Sequence, residues 1–188
     1  MRTIATFLCC LVFNHFFSQV STEESKMRKI LSLCKTEQEL KIIFELKTDF
    51  PSVFSSVPTI NPINPVNNPR ISSSFSSKRI HPIYGNERAH NGIDITGALN
   101  TPVYATADGT VTNARFFNGN AGHSVTISHK FGFVTKYFHL SIFIVEPGEK
   151  VTKGQIIGYL GNSGSSTAPH LHYEMWKNGK VLNPFGLF

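Results

Sequence analysis

The sequence predicts an all-β antiparallel domain preceded by a short helical segment and a proline- and asparagine-rich arm. Three observations predict it. From about Lys78 onward, short runs rich in β-branched and aromatic residues recur: GIDIT, TPVYATADGTVTNARFF, HSVTISHK, FGFVTKYFHL, KVTKGQIIGYLG and HLHYEMW. Turn dipeptides punctuate them at Asp108-Gly109, Asn118-Gly119, Pro147-Gly148 and Asn178-Gly179. No helical period of any length interrupts this region, so hairpins must build a core of about 110 residues, an ordinary size for one domain.

In chain order, Arg2 precedes an apolar run from Ile4 to Phe17 in the chain of 188 residues, after which polarity returns abruptly. This reads as a signal peptide over residues 1–20, cleaved between Ser18 and Ser21, and the run is too short and interrupted for stable membrane insertion after its removal. Residues 21–50 read as a helical pro-region or docking segment. Met27, Ile30, Leu31 and Cys34 recur at helical spacing, Leu40, Ile43 and Phe44 continue the stripe to Lys47 after a polar break, and Phe50-Pro51 is expected to end it. Residues 51–71 carry five prolines between Pro51 and Pro69, which favour extended chain in a linker or an arm laid across the next domain. Two uses are open for this arm. It is a spacer, or Asn61, Asn64, Asn67 and Asn68 enter a cleft and block it.

Composition excludes several classes. Three cysteines cannot build a cysteine-rich zinc site, and with Cys9 and Cys10 inside the signal only Cys34 remains, so no internal disulfide forms. The net charge of +6 favours acidic surroundings such as anionic wall polymers or lipid head groups. It is spread along the chain rather than bunched, which argues against nucleic acid as a partner. Oligomeric state is not legible.

The chemistry lies in the histidines, of which there are eight. His90 and Asp94, spaced H-x-x-x-D, share a face on either a helix or an extended strand, and alone are a weak signal. His170 and His172, at i and i+2, point to the same face of a strand whose entry is fixed by Pro169. They read as two ligands, as a ligand and a base, or as two polar residues on a solvated face. His139 closes the aromatic run KYFHL, where a histidine ordinarily satisfies a backbone carbonyl.

Taken together and in this order, H-x-x-x-D, Y-x-H-L and G-x-x-G-x-S-G-x-S-T-x-P-H-L-H-[YF]-E resemble the lysostaphin-like M23 zinc metallopeptidases. KRIHPI, RAHNGIDI, TPVYATADGTV and GEKVTKGQIIG extend the resemblance over about Ser72 to Pro184. It implies an antiparallel β-sheet or β-sandwich peptidase domain of the duplicated hybrid motif type over residues 72–188. It also implies one Zn2+ ion held by His90, Asp94 and His172, with His139 and His170 as catalytic groups beside the open coordination position. Two imidazoles and one carboxylate suit that division, because a catalytic zinc keeps a fourth position open. Tyr84, six residues before His90, matches a tyrosine proposed in such enzymes to steady the oxyanion.

The other histidines and acids have plainer readings. His81 and His129 are expected to make turn or hairpin hydrogen bonds, and His123 to lie in a loop. Glu174 either backs His172 or is an ordinary surface acid, and Cys34 is a small buried hydrophobe. The chain departs from the family pattern at the serines after Phe75, at Asn100 and at Ala168, where glycine is common. None of these removes a ligand or catalytic histidine. The resemblance implies an exported, secreted or periplasmic zinc endopeptidase acting on the peptides of peptidoglycan. The competing reading is a non-catalytic envelope module that regulates another wall hydrolase, and retention of all five site residues argues against it.

Overall fold

The N-terminal apolar stripe folds as two helices rather than one. The computed structural model describes residues 19–80, 85–116 and 119–188. Among these, helix α1 covers residues 19–33 and helix α2 spans Glu37–Phe44. The break falls at Thr36, whose hydroxyl accepts from Glu39 N at 3.2 Å while Glu39 Oε2 accepts from Thr36 N at 3.0 Å. This reciprocal capping box starts a new helix where a continuous one was expected, and T-x-x-E was its signature in the sequence. Pro51 does not end helical structure. It opens a one-turn helix, α3 (Pro51–Phe54), where the missing N–H of proline costs nothing.

The arm is built into the core. Val53, Phe54, Val57 and Ile63 are buried in the same cluster as the domain's own apolar residues. A proline-dense segment offers few N–H donors, so its carbonyls are the groups that need partners. The domain supplies them: Tyr104 N donates to Pro62 O and Asp108 N to Ser55 O, each at 2.8 Å. Lys153 Nζ donates to the carbonyls of Phe54 and Val57 at 3.0 and 3.3 Å and to the Thr59 hydroxyl. Burial lowers the Lys153 pKa to about 8. Asn61 and Asn64 spend their side-chain oxygens on the backbone N–H groups of Ile63 and Val66.

Residues 1–18 of the expected signal segment, with Cys9 and Cys10, lie outside the described residues, as do His81 and Tyr84. No helix among the described residues is long and apolar enough to cross a membrane.

The domain itself is antiparallel β-structure, as expected. Its strands are β1 (Arg70–Ser73), β2 (Ser76–Ile80), β3 (Glu87–His90), β4 (Ile93–Thr96), β5 (Pro102–Tyr104), β6 (Gly109–Arg115), β7 (His123–His129) and β8 (Phe133–Phe143), followed by β9 (Lys150–Val151), β10 (Ile156–Leu160), β11 (His170–Lys177) and β12 (Lys180–Leu182). The main sheet runs β1-β4-β11-β8-β7-β6-β9, with β10 joining β8 to β5 and β12 flanking β11, while β2 and β3 pair separately. The β11–β12 hairpin turns through Asn178 (φ 49°) and Gly179 (φ 77°), the left-handed pair that an Asn-Gly turn supplies. Strands β8 and β11 lie at the centre. Their inner faces bury Tyr137, Leu171, Tyr173 and Met175, and alternation sends the neighbouring residues to the opposite face.

Candidate metal centre

That opposite face floors a cleft of about 520 Å³, lined among others by His90, Asp94, His139, His170, His172 and Glu174. His90 and Asp94 were expected to share one strand face by alternation, but they belong to different strands. β3 ends at His90, Asn91-Gly92 turns the corner, and β4 carries Asp94 into the main sheet. A Cβ on Gly92 would come within 2.3 Å of Tyr173 O and 3.0 Å of His172 Nε2, so only glycine lets this corner press against β11. Across the ladder, Asp94 is the register partner of His172.

Three ligand atoms converge there. His90 Nε2 lies 3.0 Å from Asp94 Oδ1 and 3.0 Å from His172 Nδ1, and His172 Nδ1 lies 2.8 Å from Asp94 Oδ1. Among the described residues, this is the group whose geometry suits a metal ion. A tetrahedral zinc with ligands at its usual bond lengths separates them by about 3.3 Å, so the triangle needs to widen by only a few tenths of an ångström. The remaining nitrogens are already engaged, His90 Nδ1 with Ser74 O at 2.7 Å and His172 Nε2 with Glu174 Oε1 at 3.4 Å. Those partners turn the lone pairs of His90 Nε2 and His172 Nδ1 inward, as a metal requires. The donor set therefore fits a borderline cation such as zinc.

In the metal-free protein the same close contacts shift the pKa values of these groups. Burial works against the Asp94 carboxylate, but hydrogen bonds from His172 and His90 outweigh it and hold its pKa well below the usual carboxylate range. Burial likewise disfavours a charged His172, yet its bonds to Asp94 and Glu174 outweigh that and raise its pKa.

The two other imidazoles stand beside this triangle. His170 Nδ1 is held by Ala168 O at 2.8 Å and the Ser166 hydroxyl at 3.0 Å, and its Nε2 faces Asp94 Oδ1 at 3.7 Å. His139 Nδ1 is held by Ser163 O at 2.8 Å, and its ring centroid lies 4.7 Å from that of His170. Burial is the main cause that lowers the His139 pKa to about 4, with the neighbouring histidines adding to it.

His139 does not close its strand, since β8 continues to Phe143. It sits where β8 changes partner: β11 pairs through Phe138, and β10 takes over at Leu140. The register with β7 also slips there, from His123↔Leu140 to Val125↔Tyr137, which puts the extra residue of a bulge at Phe138–His139. The His139 backbone is left-handed (φ 61°), an uncommon state for a non-glycine residue and one associated with functional sites. Gly161 packs against this bulge, where a Cβ would fall 2.2 Å from Ser141 N and 2.7 Å from His139 O.

Other sequence readings fare variously. Glu174 is buried and faces His172, so it is not a surface acid. His123 opens β7 rather than lying in a loop, with Nδ1 bonded to Ser141 O at 2.9 Å. His129 is buried between Asp108 O and Thr135. Cys34 is buried and unpaired with another cysteine. Asn100 adopts φ 64°, a conformation asparagine tolerates, and its Oδ1 accepts from the Ser141 hydroxyl. None of Asn61, Asn64, Asn67 and Asn68 lines the cleft, which removes the observation a blocking arm would need.

Sequence reasoning missed Arg79. Its guanidinium bonds Ser73 Oγ at 2.6 Å and lies 3.6 Å from Asp94 Oδ2 at the cleft edge. Its signal was the KRIHPI motif, but only the pairing of β2 with β3 brings it to Asp94.

Comparison with known proteins agrees on one family. Residues 88–184 match the model of peptidase family M23. The peptidoglycan DD-endopeptidase ShyC of Vibrio cholerae is 43% identical over 123 residues, 64% of this chain and 28% of ShyC. A zinc-containing peptidase from Vibrio cholerae superposes with a TM-score of 0.60 at 35% identity, covering 65% of this chain and 37% of that one. The catalytic domain of the antimicrobial peptidase lysostaphin from Staphylococcus simulans gives a TM-score of 0.55 at 31% identity, covering 63% of this chain and 91% of that one. The chain spans 24% to 31% of the length of three curated bacterial relatives that it matches at 43% to 45% identity.

Proposed function

The chain belongs to peptidase family M23, and on that premise we propose that it is a zinc-dependent endopeptidase of the cell envelope that hydrolyses peptide bonds in peptidoglycan. The observation that carries this reading is the convergence of His90 Nε2, Asp94 Oδ1 and His172 Nδ1, with two further imidazoles beside them, on the floor of one cleft. The ShyC name supports the substrate class. A cell-envelope location, with export by the N-terminal segment, follows from that substrate.

When bound, zinc would act as a Lewis acid, polarising the scissile carbonyl and lowering the pKa of a water toward about 7. The chain's own groups do the rest. His139 and His170 have their Nδ1 atoms committed to Ser163 O and Ala168 O, which leaves each Nε2 free to accept or return a proton. One imidazole takes the proton as water oxygen bonds to the carbonyl carbon. An imidazolium then protonates the departing nitrogen as the C–N bond breaks. Fixing both rings through backbone carbonyls keeps them aimed at a peptide lying along the cleft.

The test is digestion of cross-linked sacculi with zinc present. Cross-linked fragments should fall to uncross-linked ones, and His139→Asn and His170→Ala should each slow this by about 10²- to 10⁴-fold while retaining zinc. Intact sacculi with wild type, and identical behaviour of wild type and the variants, would overturn the reading. A folded protein that binds sacculi but retains no zinc would favour the regulatory module.

A further inference from the structure

Four imidazoles face the cleft, and three of them fix their second nitrogen on a backbone carbonyl: His90 on Ser74, His139 on Ser163 and His170 on Ala168. His172 instead meets a carboxylate, Glu174 Oε1. A neutral carbonyl orients a ring, whereas a carboxylate also draws on the Nε2 proton and makes Nδ1 a stronger donor to a cation. At 3.4 Å this contact is longer than a charge-assisted hydrogen bond of full strength, so the carboxylate can act only if something else fixes its place.

Two side chains fix it. Trp176 Nε1 donates to Glu174 Oε2 at 2.7 Å, and Lys136 Nζ lies 3.2 Å from the same oxygen. Lys136 Nζ also stands 4.1 Å over the Trp176 ring, so the three groups hold one another. Alternation along β11 puts His172, Glu174 and Trp176 on one face, and the register with β8 sets Lys136 directly across from Glu174. One carboxylate oxygen is thus taken by Trp176 and Lys136, and the other is left for His172. The ammonium also balances the charge of a carboxylate that is only 7% exposed.

We propose that Glu174, Trp176 and Lys136 form a positioning clamp that sets the orientation and donor strength of His172 toward the metal. Zinc affinity is then tuned by residues outside the ligand set. The inference rests on the metal reading of the site given above. It also differs from a purely structural tie between β8 and β11, which would alter stability and leave metal affinity alone.

The test compares the full chain with Glu174→Gln, Trp176→Phe and Lys136→Met. Zinc dissociation constants come from chelator competition, the His172 Nε2–H resonance from 1H–15N spectra of the zinc-loaded protein, and stability from denaturation of the metal-free protein. Glu174→Gln should weaken zinc binding about 10- to 100-fold and shift the His172 resonance upfield. Trp176→Phe and Lys136→Met should act in the same direction with smaller size. Should Trp176→Phe fail to fold, Glu174→Gln and Lys136→Met carry the test. Zinc affinities within twofold of wild type with an unmoved resonance would overturn the clamp alone. A wild-type protein that binds no zinc would overturn the metal reading as well.

Discussion

Strands β8 and β11 carry two polar clusters on opposite faces, and the clusters differ in what they leave open. On the inner face, Tyr137 OH receives Thr106 N–H at 3.1 Å and meets the hydroxyls of Thr106 and Thr135. Thr106 reaches Tyr173 OH at 3.0 Å, and Thr135 reaches His129 Nε2 at 2.8 Å. Every partner there is another buried group, and among the described residues no buried side-chain polar atom lacks one. On the outer face, His139 and His170 each have one nitrogen fixed and one turned to the cleft. A network closed on itself can only stabilise. One with open positions can bind and react, and rigid neighbours keep those positions aimed.

Substitutions on the two faces should therefore separate function from stability. The largest effect is expected for His172→Ala, which removes a ligand: zinc retention, read by metal analysis after dialysis, and sacculus cleavage should both be lost. Next comes His139→Asn, chosen because asparagine tolerates the left-handed backbone at that position. It should keep zinc and lower the cleavage rate by about 10²- to 10⁴-fold, the span typical of a lost general base or acid. Retained activity would break the assignment of an open, reactive face.

On the inner face, Tyr137→Phe should leave cleavage unchanged and cost about 1–3 kcal/mol in denaturant unfolding, because the buried Thr106 N–H loses its acceptor. A drop in activity at unchanged stability would show that the faces are not separable. A further effect is the response to acid. Burial lowers the His129 pKa to about 4, below its ordinary value of about 6.5. As pH falls through about 6.5 the unfolded chain takes up this proton first. The stability due to neutral His129 is complete above that pH and declines toward pH 4, by at most about 1.4 kcal/mol per pH unit. In the metal-free protein His139 adds a decline of the same sign. Unfolding measured between pH 7.5 and 4.5 should show a shallower slope for His129→Gln than for wild type, and equal slopes would remove His129 from the account.

Sequence made some of this visible and hid the rest for identifiable reasons. Alternation alone set His170 and His172 on one face and Leu171 and Tyr173 on the other, because a strand has a period of two and nothing overrides it. H-x-x-x-D was visible as a pair, but its convergence depends on a corner between two sheets that spacing does not encode. The bulge that re-aims His139 comes from a change of strand partner, a non-local event. Proline density suggested extended chain in the arm, but Pro51 and Pro65 each open a short helical turn, because a proline is as acceptable at the first position of a helix as it is in extended chain. Tyr84 lies outside the described residues.

One contact joins the two ends of the described chain. Glu37 Oε1, in the first turn of α2, accepts the backbone N–H of Asn183 at 2.7 Å across 146 residues, and Gly186 sits near the Lys41 side chain. The surface that receives the N-terminal helices is thus completed by residues about 146 positions further along the chain. Synthesis supplies the helices well before this part of their docking site, so this clasp cannot form until the segment around Asn183 has emerged. A topology closed by contacts of such sequence separation folds slowly for its size. Apolar surface on α1 and α2, including Leu31 and Leu40, must wait exposed in the meantime.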